Sequence, residues 1–115
     1  MSFESIRLIT FDCYGTLIDW ENGMLAVLRP LLSKDGRREV SDSQILELYG
    51  EIEAELESGP YLSYRQVLAQ AAREIGRRLS KGISSEEGSA FAESLTRWKP
   101  FIDTLPALQL SLIHI

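Results

Sequence analysis

Asp12 stands at the end of a short apolar run and is followed at once by Cys13, Tyr14, Gly15, Thr16 and Leu17. A carboxylate at a strand end, faced by the backbone N–H groups of a glycine turn, is held rigidly and aimed at the crevice where open α/β sheets bind ligands. Nucleophilic catalysis requires that placement, so Asp12 is the candidate nucleophile, weighed against an ordinary turn or N-cap aspartate. Cys13 offers a thiol, but the sole histidine, His114, lies at the far end of the chain. Cys13 therefore reads as a small buried packing residue. Trp20 directly follows the loop and is the first aromatic candidate for lining a pocket; Tyr61, Tyr64 and Trp98 read mainly as helix packing. The acids Glu51, Glu53, Glu55 and Glu57 alternate. On a helix that spacing scatters them, which suits a solvated face better than a metal site.

The elements that must position these residues follow from periodicity. Ile6–Phe11 is apolar and β-branched, without helical period, and reads as a buried strand of a parallel sheet. From Trp20 the spacing of Met24, Leu25, Leu28, Leu31 and Leu32 is helical, with Pro30 expected to kink or restart the helix. After a polar break from Ser33 to Glu39, three serines each precede a Gln or Glu by three residues: Ser41 with Gln44, Ser63 with Gln66, and Ser84 with Glu87. Each is a capping-box pattern. They open helices carrying Ile45, Leu48, Ile52 and Leu56 (about Asp42 to Glu57), then Val67 to Leu79, then Phe91, Leu95 and Trp98. Lys99-Pro100 ends the fourth helix. Phe101–Thr104 returns the chain, with Asp103 or Thr104 capping a short helix through Leu108. Leu110–Ile115 is apolar, without a polar face or stop signal, and is read as an ending foreign to the natural frame.

Composition narrows the class. The chain has 115 residues, 44% hydrophobic, with 12 basic and 17 acidic side chains giving a net charge of −5. Disorder is excluded over most of the length. No apolar run approaches the ~20 residues of a membrane span, because Arg7, Arg29 and Pro30 interrupt them. Met1–Ser5 lacks the basic start of a secretory signal. One cysteine cannot form an internal disulfide, so a reducing, cytoplasmic setting is expected. The basic groups Lys34, Arg37 and Arg38, and Arg73, Arg77 and Arg78, are interrupted by acids, which argues against a nucleic-acid role.

Phe11-Asp12-Cys13-Tyr14-Gly15-Thr16-Leu17 after an apolar run resembles the first motif of the haloacid dehalogenase-like hydrolase superfamily. With a helical insertion behind it and a Lys-Pro-Phe return, residues 3 to about 109 look most like the 2-haloacid dehalogenase type. The resemblance implies an α/β fold with a Rossmann-like core and a helical cap inserted after strand 1, of which this chain holds only the first core strand and the cap. It divides the chain into residues 1–19 (strand and nucleophile loop), 20–98 (cap) and 99–115 (truncated return to the core, with 110–115 non-native). At roughly 30 residues per βαβ unit, such a fold needs on the order of 200 residues, so the chain is expected to be the front of a larger protein.

The implied chemistry is attack of Asp12 on C2 of a short 2-halocarboxylate, loss of halide, and hydrolysis of the aspartyl ester. Backbone N–H groups near Cys13 and Tyr14 would stabilise the ester oxygen. Where the superfamily's phosphatases place an acid for the leaving oxygen, this chain has Tyr14. An alkyl halide needs no protonated leaving group, so Tyr14 favours dehalogenation without a cofactor over a Mg²⁺-dependent phosphatase, the alternative within the fold. Tyr14 and Trp20 would line the apolar pocket, and the Thr16 hydroxyl would bond beside the nucleophile. The halide-binding arginine of that family has no counterpart in Val40–Tyr64, which contains no Arg or Lys; Arg65, Arg37 and Arg38 flank the stretch. The family's later Ser/Thr-Asn segment, lysine and acidic groups are absent, so the chain alone is expected to be inactive. Its implied partner is a small-molecule substrate, with neither nucleic acid nor membrane; a homodimer of the parent is left open. A non-catalytic helical module that binds a partner is the alternative from another class.

Overall fold

A computed structural model describes residues 4–34 and 40–113. Helix α1 spans Trp20–Leu32, α2 Asp42–Glu57, α3 Tyr64–Arg78, α4 Ser85–Glu93 and α5 Thr104–Ile113, with a 3-10 turn at Ser94–Arg97 after α4. All three capping boxes form: the Ser41, Ser63 and Ser84 hydroxyls accept from the N–H of Gln44, Gln66 and Glu87, whose side chains reach back to the cap. Asp19 caps α1, accepting from the Asn22 N–H at 3.3 Å and the Asn22 side-chain amide at 2.6 Å. α1 runs through Pro30 without restarting and stops at Leu32, where the Ser33 N–H closes the end by donating to the Pro30 carbonyl at 3.3 Å. The fourth helix ends earlier than its apolar spacing suggests: it tightens at Ser94, and Trp98 is extended, two residues before Pro100.

The α/β, Rossmann-like expectation is overturned. Among the described residues the chain is helical and contains no strand, only isolated bridges between Tyr14 and Ile18 and between Ile18 and Pro100. Ile6–Phe11 has no ladder and is exposed, with Leu8 at 79% and Phe11 at 48%. A strand is defined by its neighbour, and these residues have no second strand to pair with, so β-branched composition alone does not build one. An all-helical chain also removes fold-level support from the dehalogenase assignment.

The core lies within α1–α4, where Met24, Leu28, Ile45, Ile52, Leu68, Ile75 and Phe91 are almost fully buried. Each such side chain contributes roughly 1.5–3 kcal/mol by leaving water. α3 and α4 share the most extensive interface. Two missing side chains permit close approach: a Cβ at Gly88 would lie 2.9 Å from the Ala69 carbonyl oxygen, and one at Gly76 2.3 Å from that of Lys81.

The two ends lie outside this bundle. The radius of gyration is 17.5 Å, against ~13 Å for a compact domain of about 100 residues. α5 is longer than the short helix expected and continues through Leu110, which is exposed, as are Ile102 and Leu105. His114 and Ile115, the end of the apolar tail, lie outside the described residues, as do Met1–Phe3 and the Arg37–Arg38 pair.

Candidate active site

Gly15 takes φ +86°, which a residue with a Cβ resists, and this turns the chain directly after Tyr14. The turn closes on one acceptor: the Cys13 carbonyl receives the N–H groups of Thr16 (3.1 Å), Leu17 (2.7 Å) and Ile18 (3.1 Å). The return segment then clamps the loop. Asp19 N–H donates to the Lys99 carbonyl at 2.8 Å, while the Leu17 carbonyl accepts from the Phe101 N–H at 3.2 Å and the Thr104 hydroxyl at 2.8 Å. The sequence signal for the clamp is Pro100, which disfavours helical geometry at Lys99 and so keeps its carbonyl out of a helix.

On this loop Asp12 is exposed, and the Thr16 hydroxyl donates to its Oδ2 at 2.5 Å. That bond orients the carboxylate through Oδ2. Cys13 is exposed, correcting the expectation of a buried packing residue. The turn that uses its carbonyl leaves its side chain outside the bundle.

Tyr14 carries the loop onto the helices. Its ring stacks on Tyr64 of α3 at 5.6 Å between centroids and meets Trp98 edge-on at 6.0 Å. Trp20, half-buried at the start of α1, places its indole beside Gly15 and lies 6.2 Å from the ring of Tyr49 in α2. Trp98 is buried, its indole N–H donating to Ser94 Oγ at 3.1 Å, which in turn donates to the Phe91 carbonyl at 2.6 Å. Asp12, Tyr14, Thr16 and Trp20 are thus brought to one end of the bundle with Tyr64 and Trp98, whereas Tyr61 is 93% exposed.

Tyr49 and Glu53 were not legible as site residues, yet the Tyr49 hydroxyl donates to the Glu53 carboxylate beneath this aromatic group. The signal was spacing: Tyr49 follows Ile45 by four residues and precedes Glu53 by four, on the inward stripe of α2. Burial, then the bond to Glu53, pushes the Tyr49 phenol far up. Burial also raises Tyr64, opposed by the Tyr49 hydroxyl beside it, and raises Tyr14, with neighbouring Cys13 adding to the rise. All three phenols therefore stay neutral near pH 7.

The arginine flanking the cap is committed elsewhere: Arg65 pairs with Glu93 on the surface. In the glutamate series, Glu53 meets Tyr49 and Glu55 pairs with Arg78, so the acids diverge as a helix requires. No protein-family model and no curated protein matches the chain.

Proposed function

We propose that this chain carries the nucleophile loop of a hydrolase that opens the carbon–halogen bond of a short 2-haloacid through an ester on Asp12. The reading rests on residues 11–17 and their resemblance to the haloacid dehalogenase-like motif, not on the architecture of the chain. The observation that carries it is the Thr16 hydroxyl fixed on Asp12 Oδ2, in a glycine turn where Tyr14, a neutral ring, stands in place of an acid. Oδ1 attacks C2, the carbon–halogen bond breaks and halide leaves with its electron pair. Water then adds to the ester carbonyl and releases the 2-hydroxyacid. The cation that would balance Asp12 and the groups that activate water come, in the resemblance, from segments outside these 115 residues. The activity is accordingly assigned to a cytoplasmic polypeptide that contains them, without a metal.

The test compares halide release from 2-chloropropionate with phosphate release from p-nitrophenyl phosphate by that polypeptide, with and without chelator. Halide release that survives chelator and is lost in Asp12→Asn is expected. Phosphate release abolished by chelator, without halide release, overturns the reading. A second reading, a helical module that binds a partner without chemistry, is supported by the core that α1–α4 bury among themselves. It predicts neither release.

A further inference from the structure

Beside Trp98 lies a cavity of about 290 Å³, between the start of α1 and the turn after α4, with Ser94 also in its lining. Its wall is largely apolar: the Trp98 indole, the bare backbone of Gly23, Ala26 and Val27. Gly23 lets α1 pack directly on the indole, since a Cβ there would lie 2.6 Å from the indole Cγ. At the rim stand Arg97 and Lys99. Among the described residues neither side chain has a hydrogen bond or ion pair, in contrast to Arg29, Arg65, Arg77 and Arg78, which are all paired. The Asp19 carboxylate and Ser94 hydroxyl also line it, each already hydrogen-bonded within the chain. Both Asp19 oxygens accept from Asn22, and Ser94 Oγ sits between the Trp98 indole and the Phe91 carbonyl.

We infer that this cavity is a binding site for a small organic anion with a flat apolar body, of the aromatic-carboxylate class. A volume at the lower edge of the ~300–1,000 Å³ of ligand pockets admits about one ring. The apolar wall takes the ring, and two unpaired cations take the carboxylate, Arg97 as a fork and Lys99 as a point charge. Inorganic anions lack the body and neutral aromatics lack the charge, so neither satisfies both halves. The site is separate from Asp12, but Lys99 accepts the Asp19 N–H at 2.8 Å and Trp98 touches Tyr14, so its occupant leans on the clamp of the loop.

The test is a titration of the ¹⁵N-labelled full chain with benzoate, following the two tryptophan indole N–H signals, told apart by Trp20→Phe. A saturable shift of the Trp98 signal is expected. Benzyl alcohol and acetate should each bind at least about tenfold more weakly, a difference of ~1.4 kcal/mol. Arg97→Gln with Lys99→Gln, both exposed positions, should weaken benzoate by a similar factor while the circular dichroism spectrum is unchanged. Ala26→Leu, which fills the slot from an exposed position of α1, should do the same. Asp12→Asn should leave the shift intact, so this site and the proposed nucleophile fail independently. An unmoved Trp98 signal, equal binding of benzyl alcohol, a double variant that binds as before, or loss in Asp12→Asn overturns the assignment.

Discussion

Two glycines inside helices should respond to the same substitution with opposite signs. Gly50 is in the middle of α2, exposed, with nothing within 4 Å of a Cβ added there. Gly76 is near the end of α3, buried, with Lys81 O at 2.3 Å and Ile83 Cγ1 at 2.9 Å from such a Cβ. Helix propensity favours alanine by ~0.8–1 kcal/mol at either position, partly through the unfolded chain. At Gly50 nothing opposes that gain. At Gly76 the new methyl falls more than 1 Å inside the 3.4–4 Å of ordinary contact, against a backbone carbonyl. The same loop is tied down by the Lys81 N–H donating to the Gly76 carbonyl at 2.7 Å, so it cannot retreat without losing that bond. Overpacking of this kind costs about 1–3 kcal/mol, and the lost bond adds about 1. The expected outcome is a gain of ~0.5–1 kcal/mol for Gly50→Ala and a net loss of roughly 1–3 kcal/mol for Gly76→Ala. Urea unfolding followed by circular dichroism at 222 nm measures both, with the slope m held constant to confirm an effect on stability alone. A Gly76→Ala variant as stable as the parent would refute the close approach of the loop to α3.

The helix caps and ion pairs give two more tests. Ser84→Ala removes the hydroxyl that accepts from Glu87 N–H at 3.1 Å and should cost about 1 kcal/mol; a midpoint of denaturation unchanged from the parent would show that α4 does not depend on its cap. Glu74 bonds to Arg77 and also to Arg78, which lowers its carboxyl to about 2. A depressed folded-state pKa means stability present above the ordinary value of 4.5 and lost as pH falls towards 2. Glu74→Gln should therefore flatten the acid limb of the stability profile in that window, and ~1 M salt should shrink the difference because Glu74 is only half-buried and its partner Arg77 is exposed. Parallel acid limbs for the two proteins would contradict the pairing.

What was legible in the sequence was local. A capping box needs four consecutive residues, so Ser41, Ser63 and Ser84 could be read directly, and with Ser41 came the bounds of α2. The strand failed because it is not local: Ile6–Phe11 has the composition of one, but a ladder requires a partner that no property of those residues supplies. The exposure of Cys13 and the role of Tyr49 were missed for a related reason. Both depend on how the loop docks against α2 and α3, and only the Gly15 turn and the Lys99–Phe101 clamp decide that. The bond between the Thr16 hydroxyl and Asp12 is again local, since a four-residue separation across a glycine turn brings the two side chains together.

The central claim, covalent chemistry at Asp12, is tested most directly with the polypeptide that supplies the missing cation and water-activating groups, by a single turnover of 2-chloropropionate in heavy-oxygen water, followed by mass spectrometry of the peptide containing Asp12. Attack by the carboxylate and hydrolysis at the ester carbonyl leave the heavy oxygen in Asp12 and give the product an unlabelled hydroxyl. Label in the product hydroxyl with none in Asp12, or no halide release at all, would contradict the account.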